Sequence, residues 1–348
     1  MSGGVDSSVT AALLKQQGYD VTGVYMKNWS QDLPGFACPW KQDYQDAKRV
    51  AVQLGIPFKM YDFEREYRQK VVDYMIAEYQ AGRTPNPDIM CNQEVKFKLF
   101  LDVCLEDGAD LIATGHYAKA KDGQLLTAAN IEKDQTYFLY RVTKDALKHT
   151  LFPVGDFTTK AEVRETAAEL GLATAAKKDS QGICFVGKVG IKDFLLHELG
   201  PQKPGKIIDQ NGVTVGEHDG AIFYTIGQRH GLHVGGGLPF YVVGKDMTKN
   251  EVYVTTDLQD GRLWRKDLRL TDLHWINEVP EPGKTYQART RYRAPLVDCT
   301  LTLEAGPLKE EPTGVAKIAL AEDIRAITPG QSAVVYDGDR VLGGGIVV

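Results

Sequence analysis

Three short stretches carry residue types that can do chemistry. The first is Ser2-Gly3-Gly4-Val5-Asp6-Ser7-Ser8. Val9, Ala12 and Leu13 follow on one helical face and Gly18 is placed to end that helix, so the stretch becomes a glycine loop at a helix N-terminus. Glycine lets backbone amides approach an anion closely, the helix end adds positive potential, and the serine hydroxyls add donors. No Gly-Lys-Ser/Thr run follows, so a lysine-held γ-phosphate does not fit, whereas a cradle for pyrophosphate does. Asp6 has two open readings: a Mg2+ ligand, or a first-turn carboxylate favoured by the helix dipole.

The second stretch, Thr84-Pro85-Asn86-Pro87-Asp88-Ile89-Met90-Cys91-Asn92, is held extended by its prolines and runs into a helix. Cys91 then falls at or near a helix N-terminus, where the dipole favours thiolate. Asp88 is near enough to act as a base and also able to oppose thiolate formation. A buried cysteine beside a capping aspartate is the plain alternative. The third stretch is Asp179-Ser180-Gln181-Gly182-Ile183-Cys184-Phe185, with Lys177 and Lys178 upstream to stabilise a thiolate or persulfide at Cys184. Here the alternative is an inert packed thiol. Cys104 shares an apolar face with Leu99 and Val103 and reads as core. Cys38 in a polar loop and Cys299 in a strand have no chemical neighbourhood.

These residues need elements to hold them. Strand patterns over 21–26, 57–61 and 110–114 alternate with helical patterns over 46–54, 64–81 and 92–106. That order predicts an α/β domain, a parallel sheet with helices on both faces. Thr159 and Glu162 form a capping box for a helix that Gly171 ends. Beyond about residue 200 the helical period fades, and the turn pairs Asn211-Gly212, Asp219-Gly220, Asp260-Gly261 and Asp337-Gly338 predict antiparallel sheet or barrel. The expected domains are 1–199, a small mainly-β unit over 200–265, and a β-barrel over 266–348.

At 348 residues the chain is long for a single core. Its 43% hydrophobic and 25% charged residues suit a soluble globular protein, with no membrane span and no signal segment, and the cytoplasm is the expected location. Five widely spaced cysteines do not make a disulfide framework or a metal knuckle. Arg229, His230 and His233 lack the accompanying cysteine or carboxylate of a metal site, so no metal ligands are assigned. The net charge of −5 speaks against a nucleic-acid partner, yet basic residues gather locally. Residues 177–206 hold six lysines against three acids, and Lys284, Arg289, Arg291 and Arg293 interleave with Tyr286 and Tyr292. Such interleaving suits phosphate contact with base stacking, and equally a solvated strand face.

The SGGxDS stretch resembles the signature of the PP-loop ATP pyrophosphatases. That family places a buried strand just ahead of the loop, and this chain starts at Met1, so about ten preceding residues are expected in the natural protein. The ordered set of PP-loop, TPNPDxxCN and DSxGICF resembles the tRNA 2-thiouridylases, as do Ala113-Thr114-Gly115-His116-Tyr117, Lys133-Asp134-Gln135-Thr136-Tyr137-Phe138-Leu139 and Thr225-Ile226-Gly227-Gln228-Arg229. The resemblance covers essentially the whole chain.

It implies a sulfurtransferase that uses ATP and Mg2+ to put sulfur on the C2 of a wobble uridine. In that reading Ser2, Gly3, Gly4, Asp6, Ser7 and Ser8 hold the ATP phosphates, and Met26 and Gly115 contact the nucleotide. Cys184 carries a persulfide, Cys91 is the partner thiol, and Asp88 with Asn86 and Pro87 meets the target base as general acid/base. His116, Lys133, Asp134, Gln135, Arg291, Tyr292 and Gln331 are implied tRNA contacts. The implied partners are tRNAs for Lys, Glu and Gln and a persulfide donor, either a relay protein or a cysteine desulfurase. Two rivals stand beside this. A PP-loop synthetase of small metabolites needs no paired cysteines. A tRNA-binding module with a vestigial nucleotide site needs no catalysis. The thiocytidine-forming relatives use a Cys-x-x-Cys motif, which this sequence lacks.

Overall fold

The computed structural model describes residues 1–33, 35, 37–178, 190–235, 237–304 and 314–348. Cys184 and its neighbours therefore lie outside the described residues.

The loop leads directly into helix α1 (Val5–Gln16), and α2 (Trp40–Leu54) ends at Gly55 in the left-handed conformation. Strands β1 (Gly23–Lys27) and β2 (Phe58–Asp62) pair in parallel, Gly23 opposite Phe58. A second parallel pair joins β3 (Ile112–Ala113) to β6 (Thr150–Leu151). The expected parallel pairing is present, but as two separate two-stranded pieces rather than one sheet. Between them run two long helical stretches, 64–80 and 87–106, whose apolar faces bury Tyr67, Val71, Met75, Cys91, Val95 and Cys104 in one core. Each fully buried side chain of this kind contributes roughly 1.5–3 kcal/mol of transfer free energy.

Within the second stretch, Cys91–Leu99 adopts π-type bonding, a widened helical turn that tends to occur where side chains have work to do. The helix starts at Pro87, capped by Asn86, whose Oδ1 accepts from the Asp88 amide at 3.2 Å. The Thr159 hydroxyl caps the Lys160–Glu169 helix as predicted, and the Glu162 carboxylate reaches back to the Thr158 amide at 3.0 Å.

The remainder is β-structure. Strands β7 (Gly205–Ile208), β8 (Thr214–His218), β9 (Tyr241–Asp246) and β10 (Glu251–Thr255) form a four-stranded sheet in the order β8-β7-β10-β9. Then β11 (Trp264–Trp275), β12 (Thr285–Arg289), β13 (Val297–Glu304), β14 (Val315–Arg325), β15 (Ser332–Asp337) and β16 (Arg340–Val347) close into a barrel, with β11 paired to both β14 and β16. Alternation in β13 turns Val297, Cys299 and Leu301 inward, which settles Cys299 as barrel core. Burial pushes that thiol up to about 12.

The barrel is not an appendage. A hairpin of the first domain, β4 (Lys119–Lys121) and β5 (Gln124–Leu126), adds to its β16, Leu125 opposite Val341. Tyr137 and Tyr140 of that domain reach the Ser332 carbonyl and hydroxyl, each at 3.0 Å.

Candidate active site

The N-cap of α1 is Gly4, which has no side chain with which to cap the helix, so the first-turn amides suit an external acceptor. Gly3 has φ +74, and a Cβ there would lie 2.4 Å from the Asp43 carbonyl oxygen, so only glycine fits. The Ser7 and Ser8 hydroxyls donate to the Gly4 carbonyl at 3.1 and 2.8 Å, and the Ser2 amide donates to Ser7 Oγ at 3.1 Å. The result is a compact, uncapped, hydroxyl-lined turn, and the residues present fit a polyphosphate.

Gly115 backs onto this turn. A Cβ on it would meet the Asp6 carbonyl carbon and the Ser7 nitrogen, both at 2.8 Å. The sequence pattern alone does not explain that glycine; close backbone approach does. Its neighbour His116 packs in a three-ring cluster with Phe97 and Phe152, at 5.7 and 6.2 Å, with Nδ1 2.8 Å from the Thr114 hydroxyl. Burial, helped by Lys96, holds its imidazole well below the usual range, so it is neutral. Phe97 belongs to the helical stretch that begins with Asp88 and Cys91, so one packed chain of residues links the phosphate turn to the cysteine helix.

Asp6 does not stand alone. Its Oδ1 accepts from the Tyr117 hydroxyl at 2.9 Å, and Lys160 donates to both carboxylate oxygens at 2.6 and 2.7 Å. Lys160 was missed in the sequence. The loop lacks its own lysine, and nothing in the spacing announces that the first residue after the Thr159 cap closes on it.

Cys91 is fully buried, on the same helical face as Asp88 one turn earlier. The next residue, Asn92, is buried too, and its amide donates to the Phe138 carbonyl at 3.0 Å, seating the helix on the 133–139 segment. Met26 sits on β1 opposite Tyr61, half-buried against the same core.

The implied tRNA contacts divide. Asp134 is 2% exposed and spends its carboxylate internally, accepting from the Ala128 amide at 2.8 Å and the Thr136 hydroxyl at 2.5 Å, with Arg289 at 3.5 Å. Gln135 is bonded through Oε1 to the Tyr117 amide at 2.9 Å. Arg291 donates to the Ile226 and Ala326 carbonyls and to the Thr328 hydroxyl. Lys284 pairs with Asp337 at 2.8 Å. Within the Arg–Tyr stripe, Tyr286 faces the barrel core, Arg289 packs against Asp134 of the first domain, and Arg293 stays exposed. Tyr292 packs on Phe138 at 4.5 Å, and the Arg293 guanidinium lies 5.1 Å from the Tyr292 ring centre.

Lys177, expected to support a thiolate, turns to α2 instead and pairs with Asp43 at 2.7 Å and Asp46 at 2.8 Å. Two carboxylates neutralise its charge. The same Asp43 abuts Gly3, so the chain that leads toward Cys184 leaves from beside the phosphate turn.

Residues 1–188 match the tRNA methyl transferase HUP domain, 192–256 the tRNA methyl transferase PRC-barrel domain, and 265–347 the Aminomethyltransferase beta-barrel domain. A tRNA-specific 2-thiouridylase MnmA of Listeria monocytogenes is 48% identical over 100% of this chain and 93% of that protein. A tRNA-specific 2-thiouridylase MnmA 2 of Geobacillus kaustophilus is 47% identical with the same coverage. The chain belongs to the tRNA-specific 2-thiouridylase family. As a 2-thiouridylase-family member it carries a nucleotide-binding HUP domain followed by two β domains, as the alternation and the later turn pairs predict. No helix among the described residues is long and apolar enough to cross a membrane.

Proposed function

We propose that this protein is a tRNA-uridine 2-sulfurtransferase that converts the wobble uridine of tRNA to 2-thiouridine at the expense of ATP. The observation that carries the reading is the packing of Gly115 onto the Asp6–Ser7 peptide, which joins an uncapped phosphate turn to the helix that opens with Asp88 and Cys91. The uridine C2 oxygen attacks the α-phosphorus of ATP and pyrophosphate leaves. The oxygen, a poor leaving group before, then departs as AMP. Asp6 would be the residue to hold a Mg2+ ion, which would offset the charge of the leaving pyrophosphate. Lys160, already on Asp6, adds a second positive charge there.

Sulfur arrives on Cys184 as a persulfide. Either its terminal sulfur attacks C2 directly and Cys91 then takes the Cys184 sulfur, or Cys91 first forms the disulfide and frees sulfide to attack. In both routes the two Sγ atoms come within about 2 Å, and an external thiol later reduces the disulfide. Asp88 moves the proton at the base, beside Asn86 and Pro87. The wobble base is splayed from a single-stranded loop to reach the site. His116, Lys133 and Tyr292 line the approach. Ser2, Gly3, Gly4, Ser7, Ser8 and Met26 hold the nucleotide. The tRNAs are those for Lys, Glu and Gln, the donor is a relay protein or a cysteine desulfurase, and the reaction runs in the cytoplasm.

The test is reconstitution of full-length protein with tRNA, Mg-ATP and a persulfide donor. Chromatography of the digested nucleosides should reveal 2-thiouridine, with pyrophosphate released only when tRNA is present. ATP turnover that ignores tRNA, with no thionucleoside formed, would overturn the reading in favour of a small-metabolite synthetase.

A further inference from the structure

The loop that precedes Asp88 is gripped from two sides by domains other than its own. From the barrel, the Pro329 carbonyl accepts the Thr84 amide at 2.9 Å, and the Gln331 side-chain amide donates to the Thr84 carbonyl at 2.7 Å and the Pro85 carbonyl at 3.4 Å. Gly330, at φ +92, lies so close that a Cβ would come within 2.8 Å of the Thr84 nitrogen. From the central domain, the Thr225 hydroxyl meets the Thr84 hydroxyl at 3.2 Å. The two grips are tied to each other. Arg291 holds the Ile226 carbonyl at 3.3 Å and the Thr328 hydroxyl at 2.7 Å. Gly227, at φ +83, packs where a Cβ would strike Ala326 at 2.4 Å. Thr225 opens the Thr-Ile-Gly-Gln-Arg run, a motif to which the proposed reaction gives no task.

We infer that Gln331 and Thr225 are positioning residues that brace the 84–88 loop, so that the barrel and the central domain set the geometry of the catalytic step and do not serve tRNA affinity alone. The physical reason is that the loop's own prolines remove donors. Pro85 and Pro87 have no amide hydrogen, so beyond the Asn86 cap on the Asp88 amide the loop is held through the Thr84 amide and the Thr84 and Pro85 carbonyls. The brace acts through Thr84 on Asp88, four residues on and just inside the helix capped by Asn86.

This inference rests on the thiolation reading for its kinetics but not for its first measurement. In the full-length protein without RNA, Gln331→Ala and Thr225→Val should each accelerate hydrogen exchange at the Thr84 amide, by about tenfold. Gln331→Glu should do so more strongly, because a carboxylate placed against two carbonyls repels where the amide donated. In thiolation assays Gln331→Ala should lower kcat by about tenfold while KM for tRNA changes less than about twofold and the tRNA-binding stoichiometry holds. Unchanged exchange at Thr84 overturns the brace whatever the activity. Faster exchange with a loss confined to KM also overturns it, and makes Gln331 a tRNA contact. If no thiolation is seen with any variant or with the parent, the exchange result still decides the brace, and the failure belongs to the proposed reaction.

Discussion

The Lys160 ammonium donates to both carboxylate oxygens of Asp6, at 2.6 and 2.7 Å, across 154 residues of chain. The side chains are 15% and 29% exposed, so the pair is shielded but not sealed, in the first turn of α1. A carboxylate beside a polyphosphate site is an electrostatic liability unless a cation accompanies it, and here the cation is supplied by a remote helix.

Replacing that cation should therefore weaken nucleotide binding. Lys160→Ala is expected to lower affinity for a non-hydrolysable ATP analogue by about ten- to a hundredfold, the range of a lost charge-assisted hydrogen bond, with Lys160→Arg retaining part of it. Titration calorimetry checks this. Equal affinity in the alanine variant would make the pair purely structural.

Gly115→Ala should be worse than its size suggests. The added methyl must displace the Asp6–Ser7 peptide from 2.8 Å, and the neighbours are backbone, which cannot rotate away. The expected cost is about 1–3 kcal/mol of stability, with loss of tRNA-dependent pyrophosphate release. Thermal unfolding and a pyrophosphate assay report the two effects separately. A variant with normal release would place the nucleotide elsewhere.

The two cysteines should separate by reaction step. Cys184→Ser is expected to abolish thiolation while leaving tRNA-dependent adenylation detectable. Cys91→Ser should also be inactive with a persulfide donor, though free sulfide should restore slow turnover. Normal thiolation by either variant with that donor would remove its cysteine from the mechanism.

Lys245 offers a pH test of the domain packing. Burial lowers its ammonium from 10.5 to about 8, and its Nζ donates to the Tyr224 carbonyl at 2.8 Å. Between pH 8 and 10.5 the unfolded chain keeps a proton that the folded chain has released, so stability from this group rises with pH over that window and the penalty is complete below pH 8. Lys245→Met should therefore stabilise the protein at pH 7 by about 1–2 kcal/mol, part of the gain being offset by the orphaned Tyr224 carbonyl. Urea unfolding at neutral and alkaline pH checks it: the advantage should shrink as the pH climbs past 8. A gain that does not change with pH would contradict the assignment.

Local chemistry was legible in the chain because it is written at short range. The glycine-serine turn before α1, the Thr159 cap and the Asn211-Gly212 and Asp337-Gly338 hairpins depend on neighbours within a few residues, and each forms as its residues dictate, whereas the cap before Cys91 is Asn86 rather than the expected aspartate, and Asp219-Gly220 and Asp260-Gly261 lead into 3-10 turns instead of hairpins. Helical period alone places Cys104 in the core, and the structure buries it. Long-range pairing left no such trace. Lys177 looked available to a thiolate until α2 brought Asp43 and Asp46 to it. The basic-aromatic stripe suits an RNA surface or a solvated strand face equally, until packing of the barrel on the first domain buries Arg289 against Asp134.

The sequence by itself determined which residues are able to do chemistry and the order of the domains that carry them, since residue type, turn propensity and period are local properties. Only the tertiary structure decided which charges are already spent, that Lys160 completes the phosphate turn, and that the barrel and central domain hold the loop before Asp88. Those are contacts between segments more than a hundred residues apart, and a single chain's spacing holds no record of which of them will meet.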